Sequence, residues 1–198
     1  MVSTQEKILK AAHMVFLLKG MEGARMQEIA DMAGINKALL HYYFRNKETL
    51  FEAVFHEALH KLLPALTGVF TSDKPLLEKI PAFFDVHIGF LRDNPMIPQF
   101  IISEVTRNPA MIMKGFVTLA EKGLFGKFAA DVRESIARGE IKPVDPVQLM
   151  LNLLSLSIFP FVARPLLSTM LGIEESRYDQ LIEERQKEVA KFVISALK

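Results

Sequence analysis

One segment of the sequence has the residue pattern of a zinc hydrolase, His56-Glu57-Ala58-Leu59-His60. On a helix its two imidazoles share a face one turn apart, and Glu57 is placed as a general base. The extended pattern also needs a Gly and a third His, but positions 63 and 66 are both Leu. We therefore expect solvated or hydrogen-bonded histidines, and keep an adventitious or regulatory metal site and a zinc-dependent hydrolase as alternatives.

A second segment, Met26 to Phe44, has the pattern of two short helices joined by a tight turn. Ala30 is small where the helices must approach, and Gly34 can adopt the positive φ that such a turn commonly requires. Asn36 is a good N-cap for the second helix, and periodicity predicts that Phe44 lies in the core. The outer face then carries groups that reach bases and phosphates in a major groove: Lys37, Ala38, His41, Tyr42 and Tyr43.

The elements that hold this segment are predicted to be helices throughout. Period-two alternation is almost absent, whereas apolar residues recur at spacings of three and four, which predicts an all-α protein of about nine helices. A first helix runs from about Thr4 to Leu18, and a fourth starts after Asn46 and reaches Pro64 or Gly68. The rest is divided into about five helices by breaks at Asp73-Lys74-Pro75, Asn94-Pro95, Asn108-Pro109, Gly139 to Pro146, and Gly172.

Residues 4–55 strongly resemble the N-terminal domain of the TetR family of bacterial transcriptional regulators. The resemblance implies a three-helix helix-turn-helix DNA-binding domain at residues 1–46 and a larger helical effector-binding and dimerisation domain at 47–198. It implies a regulator and no enzyme, and we expect no cofactor and no bound metal. The matching positions are Thr4, Ile8, Leu9, Ala11, Ala12, Phe16, Gly20, Ile29, Ala30, Ala33, Gly34, Ile35, Lys37, Leu40, Tyr42, Phe44, Lys47, Glu48 and Leu50.

The same resemblance assigns roles around the second helix of the motif. Lys37 and Ala38 stand where the family opens its recognition helix, and Leu39 stands where a Thr is common, so contact with a thymine methyl replaces a polar contact. Tyr42 matches a phosphate contact of the family. Asn36, which begins the recognition helix, is included among the predicted DNA contacts, as are His41 and Tyr43, which depart from the common pattern.

Two further predicted DNA contacts flank that helix. Lys47 resembles a phosphate anchor in the first turn of the fourth helix, where the helix N-terminus adds its own positive end. Arg25 replaces a Thr that usually caps the second helix with an acidic residue three positions later. Glu28 is still present, so we expect the cap to be lost and Arg25 to contact a phosphate or the minor groove instead.

Composition limits the classes of protein that fit. The net charge is +1, which argues against a protein that coats nucleic acid over its whole surface, but residues 1–50 carry seven basic and five acidic residues. The chain has no cysteine and no secretory signal pattern at its N-terminus, so a cytoplasmic protein is expected. The apolar stretch Val147 to Ala163 is too short and interrupted for a membrane span, and we interpret it as a buried helix.

The C-terminal part has a bias toward phenylalanine and methionine between residues 76 and 128. These residues suit a protein core, and the resemblance implies that some line a pocket for a small apolar effector. The helix from Asp145 to about Phe161 and the last helix, roughly Glu175 to Leu197, are predicted to form a four-helix interface in a homodimer. Predicted pocket residues are Phe83, Phe84, His87, Phe90, Phe100, Ser103, Met113, Phe116 and Phe128.

The expected function follows from this arrangement. Two recognition helices related by a two-fold axis read a palindromic operator with half-sites about 34–36 Å apart. Ligand binding in the pocket is expected to change that spacing through the fourth helix, so that the repressor leaves the operator. The alternative outside enzymes is an apolar-ligand carrier of the same fold without specific DNA binding.

Overall fold

The computed structural model describes residues 3–107, 109, 117 and 123–198, and for residues 100 and 103–107 it describes only the backbone. Within these residues there are helices and no strands, which confirms the predicted all-α fold. Ten helices are described where about nine were predicted: α1 (Thr4–Gly23), α2 (Met26–Ala33), α3 (Lys37–Tyr43), α4 (Lys47–Thr71), α5 (Leu76–Asp93), α6 (Met96–Arg107), α7 (Leu124–Ala137), α8 (Pro146–Val162), α9 (Arg164–Leu171) and α10 (Glu175–Leu197).

The first helices end and begin where local signals in the sequence place them. Ser3 caps α1 in a capping box with Glu6. Gly20, with φ 68°, interrupts the helical geometry of α1, which resumes for one short turn beyond the predicted end at Leu18. Gly34 ends α2 in the left-handed region at φ 69°. We call residues 3–46 the head of the molecule and the described residues from 47 onward its body.

Helix α4 is longer than the sequence predicted. It continues through Pro64 and Gly68 to Thr71, because its buried face continues across both residues with Leu62, Leu66 and Phe70. Burial of these side chains outweighs the backbone hydrogen bond that Pro64 cannot donate. A second difference is α9, a separate helix of eight residues between the bend at Ala163 and Gly172, where no helix was predicted.

The body is built around α5, which packs against α4, α8 and α10. A buried ion pair joins α5 to α7, with the Lys79 ammonium 2.6 Å from a carboxylate oxygen of Asp131. The same ammonium donates to the Phe70 carbonyl at 3.1 Å, at the C-terminal end of α4 where no helical N–H reaches that oxygen. One buried cation therefore connects three helices.

Helix α8 is buried on one face only, which corrects the prediction that the stretch from Val147 is a buried helix. Leu149, Leu153 and Ser157 point into the core, while Val147, Leu151 and Phe159 are about half exposed. No single helix among the described residues is long and apolar enough to cross a membrane, although α8 and α9 together, bent by 75°, pass that test by length and composition.

Candidate nucleic-acid interface and ligand cavity

The helix-turn-helix is held by apolar contacts and by two caps, one from a backbone carbonyl and one from a side chain. Ile29, Ala30 and Leu40 are fully buried between α2 and α3. The Ala30 carbonyl accepts the Ile35 N–H at 3.0 Å, which closes the turn around Gly34. The Asn36 side-chain oxygen accepts the Leu39 N–H at 2.7 Å and so starts α3. The rigid orientation of α3 follows from these contacts.

The outward face of α3 contains the residues that the sequence placed there. Tyr42 is 83% exposed and Tyr43 40%, and the two rings pack edge to face with centroids 5.6 Å apart. Phe44 is only 8% exposed and lies in the core, as predicted. The remaining predicted contacts of this helix are also exposed: Lys37, Ala38, Leu39 and His41.

The two predicted DNA contacts that flank α3, Lys47 and Arg25, differ in their surroundings. The Lys47 ammonium donates to the Glu22 carbonyl at 3.3 Å, so this cation is held beside the N-terminus of α4 and the C-terminal end of α1. Arg25 is exposed and makes no capping bond to α2, as the sequence predicted. Glu28 pairs instead with Lys19 at 2.8 Å, and this contact lowers the pKa of the Glu28 carboxyl.

The HExxH segment lies on the surface of α4. His56 and His60 are exposed, and Glu57 forms an ion pair with Lys61 at 3.0 Å. Within the residues that the structure describes, no group of three or more His, Cys, Asp or Glu side chains is placed to hold a metal ion. The geometry therefore gives the zinc alternative no third ligand there.

A cavity of about 520 Å³ lies in the body between α4, α5, α6, α7 and α8. Of the predicted pocket residues, Phe83, His87 and Phe90 line this cavity, whereas Phe84 and Phe128 are buried elsewhere in the core and do not line it. The described residues do not include Met113 and Phe116 or the side chains of Phe100 and Ser103.

Sequence reasoning missed most of the cavity wall. One side consists of leucines of α4, Leu59, Leu62, Leu63 and Leu66, and the opposite side includes Met150 of α8. These side chains have the helical spacing of ordinary core residues, so nothing in their type separates a lining residue from a packed one. Only the three-dimensional packing of the helices shows which of these side chains line the cavity.

Among the described residues of this cavity wall, His87 is the polar one. It is 6% exposed, and its Nδ1 atom lies 2.8 Å from the Ser157 hydroxyl on α8. Its ring is tilted by 32° against the Phe83 ring, with centroids 5.1 Å apart. Burial lowers the pKa of His87 to about 4, because the charged imidazolium would lose its hydration, so the ring is neutral near pH 7.

The turn between α5 and α6, residues 94–97, lies between the head and the cavity. The His13 Nε2–H of α1 donates to the Asn94 side-chain oxygen at 3.0 Å. The Met96 methyl lies so close to Gly20 that a Cβ atom there would be 3.6 Å from it. The next residue, Ile97, lines the cavity. A displacement of this turn by a ligand would therefore reach α1 directly.

Comparison with known proteins identifies the family. Residues 8–54 match the family model described as bacterial regulatory proteins, tetR family. The HTH-type transcriptional regulator RutR of Escherichia coli (strain K12) is 31% identical over 150 residues, which are 75% of this chain and 70% of RutR. This chain belongs to the TetR family. It is a DNA-binding transcriptional regulator with a helix-turn-helix motif, as the sequence predicted.

Other TetR-family relatives agree with this assignment. The HTH-type transcriptional repressor NicS of Pseudomonas putida is 27% identical over 146 residues, which cover 70% of this chain and 64% of NicS. The crystal structure of the TetR family regulator PfmR from Thermus thermophilus superposes with a TM-score of 0.70 at 21% identity, covering 96% of this chain and 98% of PfmR. The TetR fold therefore extends through the body.

Proposed function

We propose that this chain is a cytoplasmic repressor whose homodimer binds a palindromic operator and leaves it when a small apolar molecule occupies the cavity. The observation that carries the proposal is the position of the turn between α5 and α6, residues 94–97, which touches α1 through Asn94 and Met96 and the cavity through Ile97. A ligand that favours one position of this turn would change the orientation of the head.

The DNA-binding half of the proposal is supported by the exposed face of α3. A capped, rigidly packed short helix presents Lys37, His41 and Tyr42 to solvent, which suits entry of its N-terminal part into a major groove. Lys47 stands beside this face at the N-terminus of α4, where a phosphate would meet both the ammonium and free backbone N–H groups. We propose base contacts for α3 and backbone contacts for Lys47, Tyr42 and Arg25.

The homodimer is supported by the apolar residues that the body leaves exposed. Val147, Leu151 and Phe159 are spaced four and eight residues apart on α8 and form one stripe, and Phe192 of α10 is 66% exposed. Large apolar side chains grouped on one surface are typical of a subunit interface. Pairing α8 and α10 with the same helices of a second copy would bury this stripe and place two α3 helices on one side of the dimer.

Selection from a random duplex library tests the proposal. Purified protein is incubated with the library at about 0.15 M salt, where binding through phosphates alone is weakened, and the retained sequences are read. We expect an enriched palindrome with half-sites about one helical turn apart. A folded dimer that enriches no palindrome, even after any co-purified ligand has been removed, would favour an apolar-ligand carrier instead.

Replacement of Lys47 tests the docking in more detail. We expect Lys47→Ala to weaken binding to all DNA sequences and to lower the salt dependence by about one unit of slope, since one phosphate contact is lost. His41→Ala is expected to change which bases are preferred. Lys61→Ala is the matched control, because Lys61 is also on α4 but lies about 21 Å farther along the helix. If Lys47→Ala binds as the parent does, the proposed docking is wrong.

A further inference from the structure

The cavity wall contains one polar side chain among its described residues, His87 of α5. The other described side chains around it are leucine, isoleucine, phenylalanine, methionine and proline. His87 is 6% exposed, and Ser157 is the hydrogen-bond partner that the structure gives it. A buried polar atom without a hydrogen-bond partner is destabilising. A ligand that gives the second ring nitrogen of His87 a partner is therefore favoured over one that leaves it unpaired.

The Ser157 hydroxyl determines which ring nitrogen of His87 carries the proton. This hydroxyl oxygen lies 2.9 Å from both the Leu153 and the Leu154 carbonyl oxygens. Carbonyl oxygens only accept, so the single hydroxyl hydrogen is directed at one of them or shared between the two, and it is not available to His87. Ser157 therefore accepts from His87, and the ring proton is on Nδ1.

The opposite nitrogen, Nε2, is then an acceptor. Among the described residues, none donates a hydrogen bond to it. The ring is held between Ser157 on one side and Phe83 on the other, so it cannot turn to find another partner without breaking the Ser157 contact. Because His87 lines the cavity, a molecule bound there is the available donor.

We propose that the cavity selects apolar molecules that carry one uncharged hydrogen-bond donor, such as a phenolic or alcoholic hydroxyl, and that this donor binds His87 Nε2. The proposal rests on the cavity being the effector site. It concerns the chemistry of the ligand, which the family assignment leaves open.

An ionised ligand fits the described wall poorly. A carboxylate would place its oxygen lone pairs against the Nε2 lone pair, and no described lining residue is a cation. An ammonium group would find no carboxylate among the described lining residues. Transfer of either charge from water into an apolar site without a partner is strongly unfavourable. A neutral hydroxyl meets none of these penalties and gives Nε2 its hydrogen.

Three probes of nearly equal size test the proposal on the unaltered protein. They are 4-octylphenol, 4-octylanisole and 4-octylbenzoate. The group at one end of the ring is a neutral hydrogen-bond donor in the phenol, a neutral acceptor in the anisole and an anion in the benzoate. Affinities are measured by calorimetric titration at neutral pH. We expect the phenol to bind about tenfold more tightly than the anisole, since the anisole leaves Nε2 unpaired, and the benzoate to bind more weakly than the phenol.

Two variants test whether His87 causes the preference for the phenol over the anisole. His87→Phe keeps an aromatic ring but removes the acceptor, so the phenol and the anisole should bind within about threefold of each other. Ser157→Ala removes the contact that fixes the proton on Nδ1, so Nε2 can become a donor to the anisole oxygen and the phenol-to-anisole ratio should fall. Ser176→Ala, which alters an exposed serine in the first turn of α10 away from the cavity wall, is the matched control and should leave the ratio unchanged.

The outcomes separate this inference from the proposed function. Equal affinities of phenol and anisole in the unaltered protein, or tighter binding of the benzoate, would overturn the ligand class while leaving the cavity as the effector site. Failure of all three probes to bind the folded protein would overturn both the ligand class and the effector role of the cavity. The palindrome selection would still decide DNA binding, because it uses no ligand.

Discussion

The head and the body of this molecule are stabilised by different kinds of polar contact. In the head and at its junction with α4, three of the four helices begin at side-chain caps of nearby residues, Ser3 for α1, Asn36 for α3 and Asn46 for α4, whereas α2 begins without one. In the body, α5, α7, α9 and α10 begin without a side-chain cap, and Asp145 of α8 is the exception among the described caps.

Long-range polar contacts take the place of caps in the body. All five polar or charged residues that the structure describes as buried lie there: Lys79, His87, Asp131, Ser135 and Ser157. Lys79 and Asp131 are 52 residues apart in the sequence, and His87 and Ser157 are 70 residues apart. The head is therefore specified by neighbours in the sequence, and the body by pairs that meet only when it folds.

This difference predicts how each region responds to the loss of one polar group. In the body, removal of one partner leaves the other buried without a hydrogen bond, which is destabilising well beyond the contact itself. In the head, loss of a cap exposes a backbone N–H to water and has a smaller effect.

The largest effect is expected for Lys79. Lys79→Met should lower the free energy of unfolding by about 3–5 kcal/mol, since the buried Asp131 carboxylate loses its closest cation and the Phe70 carbonyl loses its donor. The measurement is urea unfolding at neutral pH. Lys127→Met is the control, because Lys127 pairs with the same carboxylate from an exposed position and should contribute at most about 1 kcal/mol.

A double variant separates the buried charge from lost packing. Lys79→Met with Asp131→Leu removes both charges, and we expect it to be more stable than Lys79→Met alone. If Lys79→Met and Lys127→Met have equal effects, the buried pair does not stabilise the body as the comparison requires.

The second expected effect depends on pH and concerns His87. Its folded pKa is near 4 against an ordinary value of 6.5, so between these values the unfolded chain binds more protons than the folded one. The stability that His87 contributes is present above about pH 6.5 and falls by about 3 kcal/mol as the pH drops to about 4. Urea unfolding across this range measures the loss.

Variants isolate this contribution from that of other titrating groups. His87→Phe should flatten the stability profile between pH 6.5 and about 4 relative to the unaltered protein. His60→Gln, which alters an exposed histidine of α4, should leave the profile unchanged. A profile with the same slope in both variants would mean that His87 titrates normally in the folded protein.

The third expected effect concerns a helix carbonyl that receives no helical N–H because of a proline. Pro160 has no N–H, so the Leu156 carbonyl of α8 lacks its helical donor, and the Arg185 guanidinium of α10 donates to it at 2.8 and 3.0 Å. Arg185→Met should destabilise by about 1–3 kcal/mol in urea unfolding. In a Pro160→Ala background the helix supplies its own donor, and the effect should be about half as large or less.

A surface arginine of the same helix gives the control for this experiment. Arg177 is about half exposed and pairs with Glu184 at 3.2 Å, so Arg177→Met should change stability by no more than about 1 kcal/mol. An Arg185→Met effect that is the same with and without Pro160 would show that the arginine acts through packing alone.

The same contrast explains how much the sequence could predict. The turn at Gly34, the cap at Asn36 and the exposed face of α3 follow from residues within a few positions of each other, and all three are found in the structure. The contacts of that face with DNA stay a prediction. The predicted end of α4 at Pro64 or Gly68 is wrong. Burial of α4 against helices far away in the sequence outweighs the helix-breaking effect of these two residues.

The cavity was predicted only in part for a related reason. Phe83 and His87 line it, but Phe84, the residue after Phe83, is fully buried in the core and does not line it. Which side of an apolar helix faces a cavity depends on where its neighbours stop packing, and helical spacing alone does not contain that information. The contact between Arg185 and Leu156 is equally invisible, although a proline inside an apolar helix is a signal that some donor must reach the carbonyl four residues earlier.

The smallest expected effect is in the head, at Asn36. Asn36→Ala removes the acceptor for the Leu39 N–H and should lower the free energy of unfolding by about 1 kcal/mol, whereas Asn36→Ser and Asn36→Asp keep a capping oxygen and should remain within a few tenths of the parent. Urea unfolding distinguishes these variants. Asn36→Asp also places a negative charge at the start of α3, so it should be as stable as the parent and yet bind the selected palindrome more weakly. If Asn36→Ala proves as destabilising as Lys79→Met, the head depends on a wider polar network than its local caps, and the contrast between the two regions fails.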